Sequence, residues 1–91
     1  MEWRAAVRVT LKPGVLDPQG KAVQGALHAQ GFRTVSEVRV GKYIQLALTA
    51  ESRREAEEAV ERMCRALLAN PVLEQFAIRV WPAEQGEEET P

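Results

Sequence analysis

The chain has 91 residues, 45% of them hydrophobic, enough for one core and too few for two. Twelve Lys and Arg against thirteen Asp and Glu leave a net charge of −1, which argues against a nucleic-acid binder and against a polybasic membrane anchor. One cysteine and one histidine exclude an internal disulfide and a thiolate or His-rich metal site, and no apolar run approaches the ~18 residues of a membrane span.

From Trp3 to Lys12, the residues Trp3, Ala5, Val7, Val9 and Leu11 alternate with Arg4, Ala6, Arg8, Thr10 and Lys12. Period two with β-branched residues predicts a half-buried strand, ended by Pro13-Gly14. Asp17-Pro18 opens a helix over 18–30: Asp17 caps the free N–H groups, and Pro18 suits the first helical position. Val23, Ala26 and Leu27 form its apolar stripe, and Gly31 followed by Phe32 predicts a Schellman ending with Phe32 against Leu27.

From Thr34 to Thr49, the residues Val38, Val40, Ile44, Leu46 and Leu48 share one parity. A two-residue turn at Gly41-Lys42 would pair Val40 with Tyr43 and place Ile44 on the face of Glu37 and Arg39, breaking that apolar face. Two arrangements keep it whole. One is a three-residue loop, Gly41-Lys42-Tyr43. The other is a single long strand kinked at Gly41, about 50 Å from end to end at 3.3 Å per residue.

Ser52-Arg53-Arg54-Glu55 is a capping box that opens a helix over 53–69. Its stripe is Ala56, Ala59, Val60, Met63 and Leu67, widened by Cys64 and Leu68; Glu58–Arg62 and Glu61–Arg65 are spaced for ion pairs, and Asn70-Pro71 stops the helix. Phe76, Ile78 and Val80 alternate in a last strand, from Glu74 to Trp81. Residues 83–91, AEQGEEETP, hold four glutamates and no large apolar residue. They read as a disordered acidic tail, which leaves 1–82 as a single domain. The order β-α-β(β)-α-β predicts an α+β fold of ferredoxin-like kind, an antiparallel sheet with two helices on one face.

The chain has no P-loop, no dinucleotide fingerprint and no H-E-x-x-H motif. Cys64 lies on an apolar helical stripe and reads as a buried thiol rather than a nucleophile. His28, one position off its stripe, reads as solvent-facing. Tyr43 alone is too few aromatics for an RNA-recognition strand, and the Glu and Arg pairs of 53–65 read as a solvated face. Polar residues gather at the turns: Lys12 and Asp17, Arg39 and Lys42, Asn70 and Glu74. Capping and turn chemistry accounts for Asp17 and Asn70 but not for Arg39 and Lys42, so these six are the interface candidates. On the sheet's second face, Ala6, Thr10, Ala47, Ala77 and Trp81 are too apolar to be fully wetted, which predicts a homo-oligomer, a dimer or larger.

LKPGVLDPQG at 11–20, VRVGKYIQL at 38–46 and LLANPVLEQF at 67–76 resemble the PurS family, over about residues 5–81. PurS proteins are the small subunits of multi-subunit phosphoribosylformylglycinamidine synthase, an ATP-dependent amidoligase of purine biosynthesis. The resemblance implies two larger partners. A glutaminase subunit releases ammonia from glutamine; a synthetase subunit, using ATP and Mg, converts formylglycinamide ribonucleotide to the amidine. The small subunit is expected to bind no cofactor, to bridge the two and assist ammonia transfer, and to pair with itself as dimer or tetramer. The family's long-strand dimer favours the long strand at Gly41. The expected location is cytoplasmic, in line with the single cysteine and an N-terminus without a signal-peptide pattern. Two other functions stay open: a small-molecule-binding regulatory module of ferredoxin-like fold, which needs a pocket at a dimer interface, and an enzyme using Cys64.

Overall fold

The structure, a computed structural model, describes residues 1–85. Strand β1 (Glu2–Leu11) leads to helix α1 (Pro18–Ala29), strand β2 (Lys42–Thr49), helix α2 (Arg53–Met63) with a π turn over Cys64–Leu68, and strand β3 (Glu74–Pro82). The sheet order is β2-β1-β3, antiparallel throughout, with Val7 opposite both Ile44 and Ile78. The architecture is the expected α+β one, a three-stranded antiparallel sheet with two helices.

The parity seen in the sequence becomes the inner face. Trp3, Ala5, Val7 and Val9 of β1 meet Ala56 and Val60 of α2 and Cys64 of the π turn, with Ile44, Leu46 and Leu48 on one flank and Phe76, Ile78 and Val80 on the other. Val7, Val60 and Cys64 are fully buried, each valine contributing ~1.5–3 kcal/mol by leaving water. Trp3 donates its indole N–H to the Ala50 carbonyl at 3.1 Å, so its large apolar surface is buried without an orphaned donor. The Arg53 guanidinium lies 5.7 Å from the Trp3 ring centre.

Ser52 caps α2 by accepting the Glu55 N–H at 3.1 Å, while the Glu55 carboxylate takes the Glu51 N–H at 3.2 Å, one residue earlier than a standard capping box. The helix does not stay α-helical to residue 69. Ala69 N–H bonds the Cys64 carbonyl at 2.9 Å, the i→i+5 pattern of a π turn, and Ala69 itself is extended. The extra residue in that turn rotates the side chains beyond Cys64. The buried stripe therefore runs Ala56, Val60, Cys64, and Leu67, expected to be buried, is 83% exposed. Glu58 pairs backwards with Arg54 at 3.3 Å; Glu61 pairs with Arg65 at 2.9 Å as expected.

Helix α1 behaves differently from α2. Asp17 caps it and its end is a Schellman motif: Gly31 has φ +101°, Phe32 N–H reaches the Leu27 carbonyl at 2.9 Å and Gly31 N–H that of His28 at 3.0 Å. Yet Val23 and Phe32 remain exposed, so α2 carries the cover of the sheet within one chain. Backbone close approach explains where α1 sits. A Cβ on Gly20 would collide with the Val38 carbonyl, so only glycine lets α1 lie against residues 35–40.

No turn forms at Gly41. The three-residue loop is therefore absent, but the long strand expected over 34–49 is not formed either: β2 begins only at Lys42, and residues 35–41 have no strand partner in this chain. Gly41 is needed here for the same steric reason: its Cβ would meet the Val9 carbonyl of β1. Residues 83–85, expected to begin a disordered tail, form a turn in which Ala83 N–H bonds the Glu2 carbonyl and Gln85 N–H that of Pro82, both at 3.0 Å. The rest of that expected tail, 86–91, lies outside the described residues.

Candidate functional site

The antiparallel registers bring three chain ends to one edge of the molecule: β1 finishes at Leu11, opposite the start of β3 at Glu74, and β2 begins with Lys42 opposite Val9. All six interface candidates fall there. Three of them shape the turn into β3. Asn70 Oδ1 accepts the Val72 N–H at 2.9 Å, the Asn70 carbonyl accepts the Glu74 N–H at 2.7 Å, and the Glu74 carboxylate accepts the Asn70 N–H at 2.7 Å. Lys12 locks this turn to β1, its N–H on the Leu73 carbonyl at 2.9 Å and its Nζ on the Pro71 carbonyl at 2.8 Å. Lys12 also opens a type II turn, with Val15 N–H on its carbonyl at 3.1 Å and Gly14 at φ +85°.

Asp17, Arg39 and Lys42 hold the other side. The buried Asp17 carboxylate accepts the Gly20 N–H at 2.8 Å and the Val40 N–H at 3.0 Å, tying the start of α1 to the segment 35–41. The Val40 and then the Gly20 N–H, helped by the nearby Arg39 charge, hold the Asp17 pKa below its ordinary value against the opposing effect of burial. Arg39 donates to the Leu11 and Lys12 carbonyls at 3.1 and 3.2 Å. Lys42 donates to the Leu68 carbonyl at 3.2 Å, a cation on the free carbonyls of a helix end. Arg39 and Lys42 thus do satisfy backbone groups, contrary to the expectation that capping leaves them unaccounted for. Their acceptors lie 28 and 26 residues away, beyond any local pattern.

Exposed apolar side chains surround this polar framework: Leu16, Leu67, Val72 and Leu73. An open cleft of about 620 Å³ lies between the start of α1 and residues 36–39, lined by Leu16, Asp17, Lys21, Gln24, Ser36 and Arg39. His28, expected to face solvent, is half-buried with Nε2 2.7 Å from the Val35 carbonyl, a second clamp between α1 and the segment 35–41. Neither it nor Gly20 was among the sequence candidates, because the backbone each one meets comes from a later segment. Cys64 is buried, and its thiol is pushed above its ordinary pKa by desolvation first and by Glu61 second, so it stays protonated. Among the described residues no three His, Cys, Asp or Glu side chains gather as a metal-ligand set, and no helix is long and apolar enough to cross a membrane. What this edge offers is a hydrogen-bonded polar ridge beside exposed apolar side chains.

Residues 4–82 match the family model described as PurS, phosphoribosylformylglycinamidine (FGAM) synthase. The chain belongs to the PurS family. Phosphoribosylformylglycinamidine synthase subunit PurS of Bacillus subtilis is 45% identical over 78 residues, 86% of this chain and 92% of that protein. The crystal structure of Methanocaldococcus jannaschii PurS, a subunit of formylglycinamide ribonucleotide amidotransferase, superposes with a TM-score of 0.79 at 41% identity, covering 88% of this chain and 96% of that one. A chain in the structure of PurLQS from Thermotoga maritima gives a TM-score of 0.81 at 32% identity, covering 89% of this chain and 99% of that one. The PurS match starts just inside β1 and ends with β3, so it spans the sheet, both helices and the polar ridge.

Proposed function

We propose that this chain is the PurS subunit of a phosphoribosylformylglycinamidine synthase, where it bridges the glutaminase and the synthetase subunits and assists delivery of ammonia. The likeness to a chain of the Thermotoga maritima PurLQS structure over 99% of that chain carries this reading. ATP and Mg belong to the synthetase partner; this chain binds no cofactor and acts in the cytoplasm.

The subunit works as a dimer or tetramer. Residues 35–41 support this: they have no strand partner in this chain and adjoin a helix with exposed apolar residues, a surface that a second copy would complete. Sedimentation equilibrium should give at least twice the monomer mass at micromolar concentration, and a monomer would refute self-pairing. The ridge of Lys12, Asp17, Arg39, Lys42, Asn70 and Glu74 is the contact region for the larger subunits.

The test is synthesis of the amidine in a complex reconstituted with and without this chain, driven by glutamine or by added ammonium salt. Omission should depress the glutamine-driven rate far more than the ammonium-driven one. Equal rates with and without the chain would refute the bridging role.

A further inference from the structure

Alternation along β3 puts Ile78 and Val80 on the inner face and Ala77, Arg79 and Trp81 on the outer one. The outer face carries no helix among the described residues. Trp81 is nonetheless only 2% exposed, and Ala6 on the neighbouring strand 5%. Both are buried outside the core cluster that α2 closes. The Trp81 indole N–H is buried as well, and it has no hydrogen-bond partner among the described residues. Trp3 makes the contrast, its N–H on the Ala50 carbonyl at 3.1 Å. A buried donor calls for an acceptor, and a large ring on a face without a helix calls for a cover.

The course of the chain after β3 supplies one occupant for both needs. Ala83 N–H bonds the Glu2 carbonyl at 3.0 Å, and Gln85 N–H turns back onto the Pro82 carbonyl at 3.0 Å. Six residues follow Gln85, among them Glu87, Glu88 and Glu89, and all lie beyond the family match over 4–82. Four extended residues span about 13 Å, more than two strand spacings of about 4.8 Å, so these carboxylates are within reach of Trp81 and of Arg4 opposite it. Charge favours the return. Without those three glutamates the chain would hold twelve basic and ten acidic residues, a net +2 in place of −1. Arg4, opposite Trp81, and Arg79, two residues before it, add their positive field at this spot whatever else they bond. A tethered segment also acts at an effective concentration on the order of millimolar, ahead of a free peptide.

We infer that residues 86–91 fold back as a strap over the outer face at Trp81, with a carboxylate of the Glu87-Glu88-Glu89 run accepting the indole N–H. An ionised carboxylate makes a stronger hydrogen bond to that donor than a neutral acceptor does. The strap covers the apolar corner around Trp81 and Ala6 without a second copy on that face. Self-pairing is then left to residues 35–41, and the outer face stays closed to sheet-on-sheet contact while the strap is down.

The test follows the two indole N–H signals of the ¹⁵N-labelled full-length protein, with Trp81→Phe to assign them and Trp3 as internal reference. At neutral pH the Trp81 signal should be protected from solvent exchange. Its shift should move as pH falls through the ordinary glutamate value of about 4.3, while that of Trp3 stays. In the full-length triple variant Glu87→Ala, Glu88→Ala, Glu89→Ala, exchange at Trp81 should quicken about tenfold or more and the titration should vanish, with Trp3 and the melting curve unchanged. Glu2 and Glu84, the acids beside this corner, remain in that variant, so the loss singles out the strap. A Trp81 signal that exchanges like free indole in the wild type, that moves no more with pH than Trp3, or that stays protected in the triple variant would each overturn the inference. Protection that grows with protein concentration would overturn it in favour of a second copy. If the triple variant loses the Trp3 signal and so fails to fold, the wild-type titration decides alone. The assay contains no other subunit, so its failure leaves the bridging role untouched.

Discussion

The two halves of this molecule are held by different forces. The sheet with α2 is an apolar assembly: alternating side chains of three strands close over Ala56, Val60 and Cys64, and the buried indole of Trp3 has its one polar atom satisfied. The unit made of α1 and residues 35–41 is held by polar clamps onto backbone: Asp17 to Val40, His28 to Val35, Gln24 to Ser36 at 3.2 Å, and Arg39 to the end of β1. Its apolar residues, Val23 and Phe32 among them, stay exposed. Burial sums into a cooperative core, whereas hydrogen bonds each add only ~0.5–1.5 kcal/mol net. The first half buries its apolar side chains within one chain; the second leaves Val23 and Phe32 exposed.

The sharpest way to break the first half is Trp3→Ala, which should cost ~3–5 kcal/mol in denaturant unfolding, enough to unfold much of a domain this small. A loss under 1 kcal/mol would mean the core does not depend on that corner. The second half should break at Gly20. Alanine is the better helix former by ~1 kcal/mol, but its Cβ would strike the Val38 carbonyl, so Gly20→Ala should be destabilising by ~1–3 kcal/mol. Hydrogen exchange should then rise in 18–41 and not in β1 or β3. A stabilised variant would show that the two backbones are not in contact.

Acid offers a gentler test. The folded-state pKa of Asp17 is lowered, so its clamp is fully present above the ordinary value of 3.8 and is lost as pH falls through the lowered one. Exchange at Val40 and Gly20 should accelerate over that window, and Asp17→Asn should remove that acceleration. The smallest effect belongs to Glu58→Ala, on the outer face of α2. Its pair with Arg54 is exposed, so stability should change by no more than ~0.5 kcal/mol, as seen in thermal melting.

This division also sets what could be read from the residues. The strands of the core and the start of α2 were legible because period-two alternation and a Ser52 cap are local signals. Parity alone rejects a two-residue turn at Gly41-Lys42, and no turn forms there. Three features were not legible. The π turn that swings Leu67 outward has no propensity signature in LLANP. The need for glycine at 20 and 41 arises from carbonyls of Val38 and Val9, which sequence distance conceals. The six ridge residues could be picked as polar groups at turns, but their convergence depends on the register of β1 against two distant strands, and so do the acceptors of Arg39 and Lys42.

The central position of β1 has a consequence for synthesis. The strand that both others need is the first to be made, while β3, which borders it from Trp3 to Leu11, is the last. At roughly 5–20 residues per second, β1 waits several seconds on the ribosome before its second edge can be filled. During that interval β2 can pair with it and α2 can cover it, but one side of Val7 and Val9 stays open to any other strand nearby. A nascent chain halted before Glu74 is therefore the form of this protein most prone to aggregate.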